Sequence, residues 1–153
     1  MAVSAESVRD FLSSGALITS LSEEKLSRLL SLYEQATKTT STLTGMPGGG
    51  GADHEAVLAA LADAADAVGK WKALVDRQRD LIWRFLSEVE IDDAHRELLT
   101  QRYYYGEGWE IILANLQGNK SVSRRTMFYH HNKALQACAD WVNKTGKWRD
   151  EIL

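Results

Sequence analysis

The chain contains one cysteine, Cys138, and one proline, Pro47, among its 153 residues. A single cysteine cannot form an intramolecular disulfide, so no covalent cross-link within the chain holds the fold together, and a reducing compartment suits it. Proline interrupts helices, whereas runs of β-branched residues favour strands. Because both are scarce, the sequence predicts an all-α fold.

A long apolar run is also missing. Crossing a bilayer takes about 20 consecutive apolar residues, and no stretch of this chain approaches that length. The N-terminus lacks the basic start and apolar segment of a secretion signal. We therefore predict a cytoplasmic protein.

Charge is ordinary in amount but uneven along the chain. The net charge is −3, yet residues 117–149 contain seven Lys and Arg against one acid, Asp140. This segment therefore carries +6 and the remainder of the chain −9. Such segregation is typical of a surface that binds a polyanion, and equally of a solvated helix with a lysine-rich tail.

Two helices are predicted in the N-terminal segment, residues 1–44. The first spans 4–18, with apolar residues at three- and four-residue steps. The second begins at Ser20 or Ser22, with acids in its first turn, and continues to about residue 43. One apolar stripe runs along it and contains Leu26, Leu29, Leu30, Tyr33, Ala36 and Leu43.

A glycine-rich break follows the second helix. Four consecutive glycines occupy 48–51, and each costs about 1 kcal/mol in a helix interior relative to alanine. We interpret 45–52 as a flexible loop that reverses the chain. A phosphate-binding P-loop is a poor alternative, because its Gly-Lys-Ser/Thr ending and its preceding strand are both missing.

The longest predicted helix spans 53–91 and carries a heptad repeat. Its two series contain Leu61, Val68, Val75, Ile82 and Val89, and Val57, Ala64, Trp71, Gln78 and Phe85. Gln78 is the single polar member and would fix the register. The repeat predicts a coiled-coil-like contact, either as a hairpin with 22–43 or with a second subunit. We expect a homo-oligomer, with a dimer favoured.

Three shorter helices are predicted within 92–142, before a tail over 143–153. The first ends near Tyr104, the second spans 109–116, and the third begins after Ser123, its N-cap. Two short helices joined by a tight turn, the second of them basic at its start, follow the pattern of a helix-turn-helix.

Each of these helices has an apolar side that we expect to be buried. In the second helix it contains Trp109, Ile112, Leu113 and Leu116. In the third it contains Met127, Ala134, Leu135, Cys138, Trp141 and Val142, with His130 or His131 between them. One or two rings of the Tyr103–Tyr105 run would close this core, and base stacking is their alternative role.

The remaining positions near the start of the third helix form a candidate DNA-binding set. Arginine binds guanine edges bidentately, aromatic rings contact thymine methyl groups, and lysine binds phosphates. A recognition helix makes such contacts with its N-terminal residues. The predicted DNA-contacting residues are Lys120, Ser123, Arg124, Arg125, Thr126, Phe128, Tyr129 and Lys133.

No catalytic residue, metal site or cofactor is predicted. His130, His131 and Cys138 do not have zinc-ligand spacing, because adjacent histidines point about 100° apart on a helix and no second cysteine accompanies them. Ser123 and the histidines seven residues later do not form a nucleophile–base arrangement. We therefore predict that the protein is not an enzyme.

These residues together form a pattern that resembles region 4 of sigma-70 factors. The pattern contains Arg102-Tyr103, Trp109-Glu110, Ile112, Leu116, Ser123, Arg125-Thr126-Met127 and Lys133-Ala134-Leu135. It is similar above all to phage-encoded, sigma-region-4-like regulators of the ArpU type. Those regulators also have a Thr-rich stretch and a Gly-Met-Pro-Gly-Gly-like break before a long helix, as residues 40–51 do here.

The resemblance implies a sequence-specific DNA-binding transcriptional regulator of phage or prophage type in the bacterial host cytoplasm. Its third helix would lie in the major groove of double-stranded DNA. Region 4 also binds bacterial RNA polymerase, so a polymerase-binding module without DNA contact is an alternative. A small-terminase-like DNA-packaging subunit is another, since such proteins also combine a helix-turn-helix with helical oligomerisation elements. A membrane partner is not expected.

Overall fold

The computed structural model describes the backbone of residues 1–43, 51–118 and 122–153, and the side chains of 1–16, 20–37, 55–118 and 122–153. Over these residues the protein is all-α and contains no strand, which confirms the predicted fold class. The predicted loop at 45–52 lies outside the described residues up to residue 50.

In the described part of the chain, two long helices are followed by four shorter ones. Helix α1 spans Ala5–Leu43 and helix α2 spans Gly51–Glu88. The shorter helices are α3 (Asp93–Leu99), α4 (Trp109–Gln117), α5 (Arg124–Thr145) and α6 (Arg149–Ile152), with a π-helical turn at Thr100–Tyr104 directly after α3. None of the described helices is long and apolar enough to cross a membrane.

Helix α1 is continuous where the sequence predicted two helices, so the predicted boundary between 18 and 22 is wrong. Gly15, within the first predicted helix, is buried at a close approach to α2. A Cβ at this position would lie 2.8 Å from Ile82 Cδ1. The close packing that glycine permits here offsets its poor helix propensity. Beside it, Gln78 donates a hydrogen bond to Ser14 Oγ.

The described chain divides into two compact units. Unit 1 combines Met1–Leu17 with Arg77–Leu153, and unit 2 consists of Ile18–Asp76. Both clusters of buried apolar side chains found among the described residues belong to unit 1. The heptad residues of α2 differ accordingly. Ile82, Phe85 and Val89 are buried in unit 1, whereas the members before residue 77 are only half-buried.

The larger cluster of unit 1 joins the start of α1, the end of α2 and the second half of α5. Phe85 is fully buried in it, with the Phe11 ring edge-on at 5.6 Å and the Trp141 ring at 6.4 Å between centroids. Burial of apolar surface stabilises a fold by about 25 cal/mol per Å². This cluster is therefore the main source of stability in unit 1.

Residues predicted as a tail contact this same cluster. The side chain of Asn143 accepts a hydrogen bond from Val3 N and donates one to Val3 O, both at 2.8 Å. Helix α5 ends at Gly146, which has φ 73°. The Trp148 ring then lies 5.6 Å from that of Phe85, and its Nε1 donates to Glu88 Oε2 at 2.8 Å. The end of the described chain is thus part of unit 1.

Arg96 connects the end of α2 to α3. Its guanidinium donates to the carbonyl oxygens of Leu86 and Val89, the second at 2.8 Å. The last carbonyls of a helix have no partner within the helix. Hydrogen bonds from a charged donor contribute about 1.5–3 kcal/mol each. Arg96 therefore satisfies backbone groups that the short connection between the two helices leaves open.

We predict opposite effects of leucine at two glycines. Gly15→Leu should lower the free energy of unfolding by about 1–3 kcal/mol, because the side chain would displace Ile82. Gly69→Leu should raise it by about 0.5–1 kcal/mol, because an added Cβ there meets no atom of the described chain within 4 Å. Urea denaturation followed by circular dichroism measures both. Equal changes in the free energy of unfolding of the two variants would contradict the close approach at Gly15.

We also predict that Arg96→Met lowers the free energy of unfolding by about 2–4 kcal/mol, because two backbone carbonyls lose a charged donor. Arg125→Met removes the same charge from an exposed position of α5 and should change stability by less than about 0.5 kcal/mol. Denaturant titration of the two variants compares them directly. A similar decrease in the free energy of unfolding of both variants would show that the loss of a positive charge, and not the loss of the carbonyl contacts, lowers stability.

Candidate nucleic-acid interface

The start of α5 has the predicted N-cap. Ser123 Oγ accepts a hydrogen bond from Thr126 N at 3.1 Å and lies 2.9 Å from Thr126 Oγ1. Ser123 has extended backbone angles, and its carbonyl accepts the first helical hydrogen bond, from Met127 N at 3.0 Å. These contacts fix where the helix begins and therefore which way its first side chains point.

The predicted inner side of α5 is confirmed. Every residue named for it is buried, and the histidine between them is His131, whereas His130 is exposed. Ala139 joins the buried side as well. This side extends from Met127 to Val142 and leaves the opposite side of the helix free of any role in the core.

A second, smaller cluster lies where α3, α4 and the first half of α5 meet. Leu98, Ile112 and Met127 are its buried members, and Trp109, Leu113 and Phe128 are partly buried against them. The prediction that Leu116 belongs to the buried side of α4 is wrong, because its side chain is 37% exposed. It lies in the last turn of α4, outside the cluster. The side chain of the next residue, Gln117, donates to Val122 O at 2.8 Å across the connection to α5.

The π turn separates the three consecutive tyrosines. Its wider hydrogen bonding includes Tyr105 N to Thr100 O at 3.0 Å. Tyr103 points inward, with its hydroxyl 2.8 Å from His131 Nε2. The Tyr104 ring lies 5.0 Å from the Trp83 ring, and Tyr105 is 62% exposed. Tyr103 and Tyr104 thus pack against the larger cluster of unit 1, and neither belongs to the smaller cluster where α3, α4 and α5 meet, which the sequence predicted one or two of the rings to close.

The Tyr103–His131 pair is neutral at neutral pH. Burial raises the pKa of the Tyr103 phenol above its ordinary value. Burial also lowers the pKa of the His131 imidazole below its ordinary value. The hydrogen bond between them therefore joins two uncharged groups and fixes the inner side of α5 against the π turn without a buried charge.

The exposed side of α5 carries most of the predicted DNA-contacting residues. We define its outer face as Arg125, Tyr129 and Lys133, which follow one another at four-residue steps and so point the same way. Tyr129 is 57% exposed, and Lys133 Nζ lies 5.5 Å from the centre of its ring. Arg124 and Thr126 are exposed in the first turn.

The two arginines at the start of α5 have no partner among the described residues. Neither Arg124 nor Arg125 forms an ion pair or a side-chain hydrogen bond there. Within this part of the chain, both guanidinium groups keep their donors for an external partner. Arginine is a permanent cation whose planar fork matches phosphate oxygens and the guanine edge.

Two predicted residues differ from the rest of the set. Lys120 lies outside the described residues. Phe128 is half-buried, with its ring edge-on to Trp109 at 5.0 Å. The guanidinium carbon of Arg102, which the predicted set did not include, lies 4.4 Å from the centre of the Trp109 ring, and this side chain donates to Glu107 O at 3.0 Å. Phe128 of α5 and Arg102 of the π turn thus both contact Trp109 of α4, a role that spacing within one helix does not reveal.

Neither a metal-ligand cluster nor a reactive thiol is found near α5 among the described residues. No group of three or more His, Cys, Asp or Glu among them could hold a metal ion. The one thiol, Cys138, is buried, and burial raises its pKa to about 12. A thiol that stays protonated is neither a nucleophile nor a metal ligand at neutral pH.

Comparisons with protein-family models, curated proteins and solved structures find no match to this chain. Arguments about its function therefore rest on its own residues and geometry.

We predict that His131 makes stability depend on pH. Its pKa is lower in the folded chain than in the unfolded chain, where it is about 6.5. As pH falls below that value, the unfolded state binds the proton first, so the free energy of unfolding decreases until the folded pKa is passed. His131→Gln should reduce the loss of stability between about pH 7.5 and about pH 5.5.

The matched control is His130→Gln, which changes the exposed neighbour. It should leave the pH dependence of wild type unchanged. Urea denaturation of the three proteins at both pH values measures the difference. An unchanged pH dependence in His131→Gln would show that the buried imidazole is not the group responsible.

Proposed function

We propose that the protein binds double-stranded DNA with α5 in the major groove, α4 and α5 acting as a helix-turn-helix. The observation that carries the proposal is the pair of exposed, unneutralised arginines at a capped helix start. Major-groove readers of this type contact base edges with the first residues of their second helix. The outer face continues the contact surface along the helix with Tyr129 and Lys133.

The charge pattern of the chain supports this proposal. Residues 117–149 carry +6, whereas the rest of the chain carries −9. Phosphate contacts supply much of the affinity of a DNA-binding protein, and they need cations concentrated at the contact surface. An acidic remainder limits unspecific binding elsewhere on the protein.

The rigidity of α5 also favours DNA binding. Its inner side is buried along most of its length, and Trp109 supports its start through Phe128. Base recognition depends on side chains held within a fraction of an ångström, which a helix fixed on one side provides. A helix that merely covers a core would not need uncompensated arginines in its first turn.

We further propose that the protein regulates transcription through this DNA binding. This proposal rests on the resemblance to phage-encoded, sigma-region-4-like regulators, carried by Arg102-Tyr103, Trp109-Glu110 and Arg125-Thr126-Met127. In this role α5 would select an operator sequence on phage or prophage DNA.

We predict that Arg124→Ala combined with Arg125→Ala weakens binding to duplex DNA by at least about 10-fold, since a well-placed arginine contact contributes about 1–3 kcal/mol. The slope of log K against log salt should also decrease by about 1 for each arginine that contacts a phosphate. Fluorescence anisotropy with labelled genomic fragments at two salt concentrations measures both quantities.

A matched double variant is available on the same helix and just beyond its end. Lys144→Ala combined with Lys147→Ala removes the same charge from exposed positions and should change the affinity by less than about 3-fold. Equal effects of the two variants would show that only overall charge matters. Unchanged affinity in the arginine variant would rule out the start of α5 as the DNA-binding site.

A further inference from the structure

The start of α1 is fixed beside α5 within unit 1. Val3 and Asn143 exchange two hydrogen bonds of 2.8 Å, and Val8 of α1 is fully buried in the larger cluster. These contacts hold the first turns of α1 against the second half of α5. The next residue, Arg9, is exposed. Its guanidinium is therefore presented at the surface from a helix whose position is set by the core.

A surface groove runs between the two helices at this point. Its lining includes Glu6 and Arg9 of α1 and Asn132, Leu135 and Gln136 of α5. The buried imidazole of His131 also responds to Arg9, since burial is the main cause of its lowered pKa and the positive charge of Arg9 lowers it further. Helix α1 thus places a cation along the side of α5.

The groove continues the side of α5 to which Arg125 points. Asn132 follows Arg125 by seven residues, which is close to two full turns, so the two side chains point in nearly the same direction. At 1.5 Å per residue they are separated by about 10 Å along the helix axis. Arg9, which lines the groove with Asn132, therefore lies beside α5 about two turns beyond its start.

We propose that Arg9 binds a phosphate of the DNA backbone at the rim of the major groove that receives the start of α5. This inference rests on the proposed function. The major groove is about 12 Å wide, and the phosphates of the two strands line its rims. A helix whose first turn reaches the base edges therefore meets a phosphate strand about two turns further on, where Arg9 is placed.

The ion pair between Arg9 and Glu6 leaves the guanidinium available to a phosphate. Its N–O distance is 3.5 Å, and the two side chains are 51% and 75% exposed. An exposed pair of this kind is weak, because water and salt screen both charges. A phosphate can therefore replace Glu6 as the partner of Arg9, and guanidinium binds phosphate through charge-assisted, frequently bidentate hydrogen bonds. Glu6 competes with the phosphate and so reduces the affinity.

Fluorescence anisotropy of the full-length protein with labelled duplex fragments at two salt concentrations tests the contact. Arg9→Gln should weaken binding by about 3- to 10-fold on every fragment, because a phosphate contact carries no sequence information. The slope of log K against log salt should decrease by about 0.9. Arg9→Lys should keep the wild-type slope, because lysine also neutralises a phosphate. Glu6→Gln should raise the affinity by about 2-fold, because it removes the competing charge.

The matched control is Arg84→Gln, which removes the same charge from another exposed position of unit 1. The Arg84 guanidinium carbon lies 5.7 Å from the centre of the Trp148 ring, just beyond the C-terminal end of α5. This variant should bind within about 1.5-fold of wild type with an unchanged salt slope. Equal losses of affinity in Arg84→Gln and Arg9→Gln would overturn the proposal, as would a wild-type salt slope in Arg9→Gln.

The variant that combines Arg124→Ala and Arg125→Ala separates this inference from the proposed function. If that variant loses affinity whereas Arg9→Gln binds as tightly as wild type, the start of α5 binds DNA and the phosphate contact of Arg9 is wrong. If the double variant also binds as tightly as wild type, the proposed function is wrong and the contact of Arg9 with it. Circular dichroism of each variant verifies that the helices are retained.

Discussion

The contact between the Arg96 guanidinium and the last carbonyl oxygens of α2 is the constraint on which the rest of unit 1 depends. Helix α2 ends and α3 begins within a few residues, so the chain has no room for a loop that could satisfy those carbonyls. A cation from α3 does so, and it also suits the negative end of the helix dipole. The direction of α3, and hence of the π turn and α5 behind it, follows from this contact.

Helix α5 serves two functions with opposite requirements, and its periodicity separates them. The inner side from Met127 to Val142 is apolar apart from His131, whose partner is the uncharged Tyr103 hydroxyl. The outer face is free to carry cations because nothing in the core depends on it. The π turn places Tyr103 against His131 on the inner side, while Tyr104 packs against Trp83.

Local patterns predicted the helices of the C-terminal half well. The Ser123 cap depends on contacts three residues apart, and the inner side of α5 depends on spacing within one helix. Both are visible in sequence. The exposure of Arg124 and Arg125 could be predicted for the same reason, since a cation in the first turn of a helix is a local feature. Phe128 was harder to place, because the position of Trp109 decides how much of its ring is exposed.

Features that depend on contacts distant in sequence were missed. Gly15 has the sequence signature of a helix end, but its role is set by Ile82, 67 positions away on another helix. The sequence groups Leu30 and Ala36 in one apolar stripe, yet Ala36 is buried whereas Leu30 is 56% exposed. The spacing of apolar residues in the sequence predicts which side of a helix is apolar. It does not predict how many neighbouring helices cover that side.

The hydrogen bonds between Val3 and Asn143 have a consequence for synthesis of the protein. They join residues 140 positions apart, and unit 1 is built from two segments with unit 2 between them. At about 5–20 residues per second, a ribosome needs about 7–28 s to make the chain between them. During that time the apolar start of α1 has no completed core to enter, so its side chains stay exposed on the nascent chain until α5 emerges.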